Sequence, residues 1–383
     1  MSKQSLMELT LIVARRYYKT KSRKEKTKIL DEYCSNTELN RQYVFEKLKK
    51  VFYGGKTPKK RGRKPKYSKK IKGVVTEIWE VFTVCAERLK PFIPEAISVL
   101  ERNNHIHLSN EEKKLLCSMS EATVKRIISE YKERVHGKFS FSTTKPGSLL
   151  KKNIPIQTIC WDKSLAGFCE IDLVAHCGGS LSGNFIYTLQ FVDIKTTWTE
   201  RKAVMGKSQN NVFQRIKQVR KLLPFDLKGI DSDNGSEFIN HQLVKYCSKE
   251  NIAFTRSRPY MSKDNAHIEQ KNWTLVRQVL GYHRFDTHEQ LHRLNDLYDN
   301  ELRLFINFFQ PTMKLVEKIK IGSRYKRKYD TPKTPYQRVI LCSDIPQIYK
   351  DNLTSLYLSL DPISLKHSIK KKVLNIVSLS SGF

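Results

Sequence analysis

Residues 4–20 and 24–34 carry apolar positions at three- and four-residue intervals, the period of a helix with one buried face. Ser35-Asn36-Thr37 is expected to break that pattern before a third helical run to about Lys50. In the third run Leu39, Tyr43, Val44 and Leu48 make the apolar stripe, leaving Asn40, Arg41, Gln42, Lys47 and Lys50 outward. Three helices with a polar, basic last member suit a helix-turn-helix reader, or equally an ordinary bundle with a solvated face. A second helical block is predicted from about Ile71 to Val135, punctuated by Pro91 and Pro94. Its last helix begins at Ser118-Met119-Ser120-Glu121, a capping-box spacing, and presents Lys125 and Arg126 on a face that could enter a major groove. From His136 to Gln157 the Gly, Ser, Thr, Pro and Lys content marks a linker.

The period then shortens to two. Gly167–Ala175, Phe185–Ile194 and Trp198–Val204 read as strands of an antiparallel meander. Helix, strand, helix, strand and helix follow over 208–223, 227–232, 236–249, 252–257 and 263–280. That order argues for a mixed sheet with helices on its faces, an α/β layer fold. Thr287–Phe309 reads as one long amphipathic helix, and Lys314–Lys328 as a basic loop, broken at Gly322, that would hold flanking DNA or a second protomer's DNA, each single lysine fitting a solvated charged face equally well. Beyond residue 340 the leucines fit helix and strand equally, and the segment is too short for a core of its own, so it should dock or mediate self-association.

Charge narrows the class. Seventy Lys and Arg against 38 Asp and Glu give a formal net charge of +32, which calls for a polyanionic partner. Gly54-Gly55 opens the densest stretch, Lys56–Lys72, with ten cations and no acid, the composition of an extended arm. Within it Lys60, Arg61, Arg63 and Lys64 resemble a minor-groove AT-hook arm, although Lys64 separates Arg63 from Pro65. No apolar run reaches the length of a bilayer span and the N-terminus lacks a signal-peptide pattern, so a soluble intracellular protein, cytoplasmic and nucleoid-associated, is expected. Eight cysteines without a C-x-x-C pair suggest buried thiols; a zinc site from Cys160, Cys169, His176 and Cys177 would lack finger spacing.

Candidate chemistry starts at Gly229–Phe238, an apolar approach that ends in Asp233, followed by Asn234-Gly235 and a Ser that can cap a helix. Asp172 lies in the middle of an otherwise β-prone run, where a buried carboxylate is costly unless paired or bound to a cation. Glu269 sits at the edge of the apolar stripe Ile268, Leu275 and Val279, in line with Asn265, Trp273 and Arg277. Positions 173–232 separate the first two acids and 234–268 the second pair, which is thirty-five residues. Asp231 and Glu170 each lie two residues from a candidate and share its face. Glu237 reads as a first-turn acid, and Asp193 as a group near the site or at an edge.

These residues resemble the DDE transposases of bacterial insertion sequences, which carry a retroviral-integrase-type catalytic core. The resemblance rests on Glu170-Ile171-Asp172-Leu173-Val174, Asp233-Asn234-Gly235-Ser236-Glu237-Phe238, the run Asn265–Asn272 and the thirty-five-residue spacing. Asn307–Thr312 and Thr334–Arg338 extend it into the tail. It implies an RNase H-like core over 158–285, preceded by helix-turn-helix blocks over 1–55 and 73–135 that flank the arm, placed at 56–72, and a linker over 136–157. A helical and basic region follows over 286–383. It also implies metal-dependent DNA cleavage and strand transfer, with Asp172, Asp233 and Glu269 holding two Mg²⁺ or Mn²⁺ ions. The implied partners are double-stranded DNA, as terminal inverted repeats and target, and further copies of the chain. DNA contacts are expected from Arg41, Lys125, Arg126, Lys271, Trp273 and Arg277 besides the arm. The competing reading is a sequence-specific DNA-binding regulator or domesticated remnant whose acids are structural.

Overall fold

In the computed structural model, residues 3–54, 66–136, 165–232, 235, 237–238, 240–256, 268 and 271–380 are described. The chain divides into two compact units, Met1–Lys66 and Tyr67–Phe383.

The first unit is three helices, α1 (Lys3–Lys19), α2 (Arg23–Thr37) and α3 (Arg41–Phe52), around Ala14, Ile29, Tyr33, Val44 and Leu48. Ser35-Asn36-Thr37 does not interrupt α2: Thr37 Oγ1 bonds back to Tyr33 O at 2.6 Å, and the helix ends where Glu38 turns left-handed. Asn40 caps α3 through Gln42 N. Tyr43, expected in the apolar stripe, is 57% exposed, because Val44 and Leu48 alone in that turn face the core.

In the second unit α4 (Lys69–Phe82), α5 (Ala86–Arg102), α6 (Asn110–Cys117) and α7 (Glu121–His136) come first. Helix α4 begins at Lys69, capped by Ser68, inside the span expected to be an arm. Pro91 and Pro94 lie within α5 instead of punctuating it. A mid-helix proline costs about 3 kcal/mol, which the burial of Leu89, Phe92, Ile93, Ile97 and Leu100 outweighs. The capping box falls one helix earlier than expected, at Ser109 and Glu112; Ser118 ends α6 and Ser120 receives Thr123 N at the start of α7. Helices α4, α5 and α7 share one hydrophobic core with the sheet that follows.

That sheet has the order β3-β2-β1-β4-β5, from β1 (Phe168–Ala175), β2 (Ile186–Asp193), β3 (Thr199–Met205), β4 (Gly229–Ser232) and β5 (Ala253–Arg256). Strands β1–β3 are antiparallel neighbours, whereas β4 and β5 run parallel to β1. Two faces result. Cys169, Ile171, Leu189 and Phe191 pack under α8 (Gln209–Arg220) and α9 (His241–Lys249). Val174, Ile186 and Ala203 meet α10, α11 (His288–Asp299) and α12 (Glu301–Phe309). Here α10 is the π-helical Asn272–Arg277 with its α-helical end Gln278–Leu280. The wider π turn moves Val276 and Leu280 into the core and leaves Val279 only partly covered, which the regular helical stripe could not anticipate.

Several boundaries differ from the periodicity. Helix α9 starts at His241 behind the Asn240 cap, so Glu237 lies in the turn before it, not in its first turn. The helix expected over 287–309 breaks at Asn300 (φ −111°, ψ −105°). The basic loop is a hairpin, β6 (Leu315–Ile321) and β7 (Arg324–Tyr329), turning at Gly322, whose φ of +56° is a left-handed value that a tight hairpin needs. The tail is helical, α13 (Pro335–Leu341), α14 (Gln347–Ser359) and α15 (Pro362–Val377), and it docks: Tyr357 and Leu360 join one core cluster and Ile376 the other. No helix among the described residues is long and apolar enough to cross a membrane.

The exposed edge of β3 is closed by two asparagines. Asn295 of α11 accepts from Ala203 N and donates to Ala203 O, while Asn307 of α12 does the same at Thr199, all at 2.9–3.1 Å. The backbone groups of an edge strand thus find partners within the chain.

Candidate active site

Asp172 stands mid-strand in β1, half-buried, and its cross-strand partners on the same face are Gln190 of β2 and, beyond that, Arg201 of β3. Its Oδ1 accepts from Leu173 N at 2.8 Å and its Oδ2 from the Asn272 side-chain amide at 2.5 Å. Asn272 opens the π-helical turn, so the carboxylate is held between strand and helix. The side-chain oxygen of Asn272 is buried and has no hydrogen-bond partner among the described residues.

The row continues as a cationic wall. Arg201 is only 2% exposed; Nε donates to Gln190 Oε1 at 3.1 Å, and Nη2 has no hydrogen-bond partner among the described residues. Burial pulls its guanidinium down to about 10. Desolvation and the charges of Arg201, Arg88 and Arg338 pull the Lys271 ammonium down to about 7. Arg277 donates to Ala175 O at 2.7 Å and stacks over the Tyr282 ring. Behind them His176 Nε2 and Tyr298 hydroxyl both meet Thr188 Oγ1, at 2.8 and 2.6 Å. Burial, then Arg277, lowers His176 to about 3, so this layer carries a neutral imidazole.

The neighbouring acids have tasks of their own. Glu170 and Asp231 are paired across β1 and β4 and are 2% and 0% exposed. Glu170 Oε2 accepts from Ile268 N at 2.9 Å, tethering position 268 to β1, and Asp231 Oδ1 accepts from Thr255 Oγ1 at 2.6 Å. Asp193 ends β2 and binds Gly167 N and both Thr196 donors, a turn-forming role. Cys169 is buried with its thiol pushed up by burial, His176 is engaged by Thr188, and Cys177 Sγ faces Gly178 O; Cys160 lies outside the described residues.

Asp233 and Glu269 lie outside the described residues, as do Lys60, Arg61, Arg63 and Lys64. Among the described residues no three His, Cys, Asp or Glu side chains form a metal-binding group. Trp273 is 52% exposed, and Lys125 and Arg126 are exposed on α7, whereas Arg41 is tied to Asp31. Asn272, Gln190 and Arg201 escaped the sequence reading. The signal for Arg201 was present: Glu200-Arg201-Lys202 interrupts a predicted strand with three charges, which only a polar sheet face or a covered edge accommodates.

No family model matches the chain. Among solved structures it is similar to the HTLV-2 integrase catalytic core domain in complex with magnesium, at 15% identity and a TM-score of 0.29, over 39% of this chain and 91% of that one. It is also similar to the catalytic core domain of BIV integrase, at 15% identity and a TM-score of 0.30, over 50% and 98%. The uncharacterized protein y4rM of Sinorhizobium fredii (strain NBRC 101917 / NGR234) is 35% identical over 323 residues, spanning 84% of this chain and 91% of that protein. At that identity and coverage the chain belongs to the same family as y4rM.

Proposed function

We propose that the chain is a transposase or integrase that binds element-end DNA and carries out metal-dependent DNA cleavage and strand transfer, with Asp172, Asp233 and Glu269 as ligands. One observation carries the reading: the residues beside both other acids are tied to β1 around Asp172. Ser232, preceding Asp233, pairs in parallel with Ile171, and Ile268, preceding Glu269, gives its N–H to Glu170. The neighbouring acids Glu170 and Asp231 each make one structural contact, to Ile268 N and to Thr255 Oγ1.

The donors fit a hard divalent cation. Asp172 offers carboxylate oxygens, and the adjacent Asn272 carries a buried oxygen without a hydrogen-bond partner among the described residues, the kind of atom such an ion takes. When bound, two Mg²⁺ or Mn²⁺ ions supply the charge that activates an oxygen nucleophile and stabilises the leaving 3′ oxygen. Asn272 orients Asp172, Glu170 holds Ile268, the residue before Glu269, and the Arg201–Lys271–Arg277 wall offsets phosphate charge.

Asp172→Asn and Glu269→Gln should reduce Mg²⁺-supported joining of end DNA to background while end binding stays within about twofold. Joining that survives either change, with binding intact, would mean that the acids are structural and the protein acts by binding alone.

A further inference from the structure

The hairpin β6–β7 buries nothing. Every residue from Leu315 to Tyr329 is exposed, and a lone two-stranded ribbon has little stability of its own in water. Its root, by contrast, is tightly fixed. Lys314 N donates to Asp330 Oδ1 at 2.6 Å, Asp330 N returns to Lys314 O, and Arg338 holds Asp330 Oδ2 at 2.6 Å and Thr312 O at 2.8 Å. A rigidly based ribbon with no packing partner among the described residues is built to meet something else.

Register assigns its side chains to two faces. Glu317↔Lys328, Ile319↔Lys326 and Ile321↔Arg324 share one; Lys318↔Arg327 and Lys320↔Tyr325 share the other, where the Lys318 ammonium lies 4.3 Å from the Tyr325 ring centre. Each face therefore presents three cations interleaved with apolar side chains, and Glu317 is the lone acid. Seven residues at about 3.3 Å each make a strand of about 20 Å, and B-DNA's major groove, roughly 12 Å wide, admits a two-stranded ribbon.

We infer that this ribbon is a major-groove arm for duplex DNA, gripping the phosphates on both groove walls with its two faces. A ribbon in the groove has a phosphate wall on either side, which puts cations on both faces to use, and exposed isoleucines suit thymine methyl groups. An element lying on a bilayer needs its cations and apolar groups on opposite faces, and here they are mixed on each. The deep, narrow major groove of A-form RNA would not admit the ribbon.

The inference takes its partner class from the proposed function but not its chemistry, so it is tested in EDTA with the full chain. The triples K318Q/K320Q/R327Q and R324Q/K326Q/K328Q change exposed residues only. Each should lower the slope of log Kd against log salt by about 2 to 3 on duplex DNA, at about 0.9 per lost phosphate contact. Replacing thymine by uracil, which removes the major-groove methyl that the isoleucines would meet, should weaken binding by the parent protein. Unchanged slopes in both triples would overturn the inference, as would a loss confined to duplex RNA or to phosphatidylserine vesicles. If the slopes fall while the Asp172→Asn chain still joins DNA, the arm stands and the catalytic assignment fails.

Discussion

Asn272 shows how much of a site can hide in an uncharged residue. It donates 2.5 Å to Asp172 from the first position of a π-helical turn, and removing it frees the carboxylate to rotate. Asn272→Ala should raise the Mg²⁺ concentration needed for half-maximal joining by about 10- to 100-fold, the usual cost of losing a group that orients a ligand. Saturating metal should restore most of the rate, and metal titrations of joining read both. An unchanged requirement would show that Leu173 N alone orients Asp172. Of this site, Asp172 was legible because an acid in a β-prone run stands out against its neighbours. Asn272, Gln190 and Arg201 were not, since an amide on a helix or a cation in a strand looks like solvated surface until the sheet register aligns them.

Elements were legible where one period dominates. All five strands of the large sheet and most helices fall within a few residues of their expected positions. Errors cluster where tertiary contacts override the local pattern: prolines tolerated inside α5, the π turn in α10, the break at Asn300 and the hairpin mistaken for a loop. The tail motifs that resemble insertion-sequence transposases prove architectural. Asn307 seals β3, Gln310 donates to Phe82 O, Thr334 and Gln337 form a capping box, and Arg338 fixes the ribbon's root. Helix α12 also supplies Arg303, which grips the fully buried Glu200 carboxylate at 2.7 and 2.9 Å, alongside Trp198. Arg303→Leu should cost about 3–5 kcal/mol, because it leaves a buried charge without its partner. Burial raises the Glu200 pKa against the pull of Arg303. The folded chain therefore binds this proton more tightly than the unfolded one, and the stabilising contribution disappears as pH rises through the folded value. Losing Arg303 raises that value further, so the variant's deficit should shrink in acid, as read by denaturant melts from pH 4 to 8. A deficit independent of pH would point to lost packing alone.

At the scale of the whole molecule, a net charge of +32 over 383 residues is the compositional ground for expecting a polyanionic partner. It did not reveal the division of the chain. Residues 3–54 form a helical unit with its own core, whereas α4–α7, expected as a second separate reader, share their core with the sheet. A truncation meant to test the first unit as a DNA reader should end at residue 66, since a cut at 75 would destroy α4, where Val75 is fully buried. The 67–383 chain should lose about tenfold or more of its preference for end over random DNA, measured by competition, yet still nick random DNA with Mn²⁺. Preserved preference would move end recognition to the second unit.

The asparagine seals on β3 reach beyond this chain's own stability. With Ala203 and Thr199 already satisfied from within, a second copy cannot add a strand there. A shared sheet between two copies would have to use another edge, such as β5.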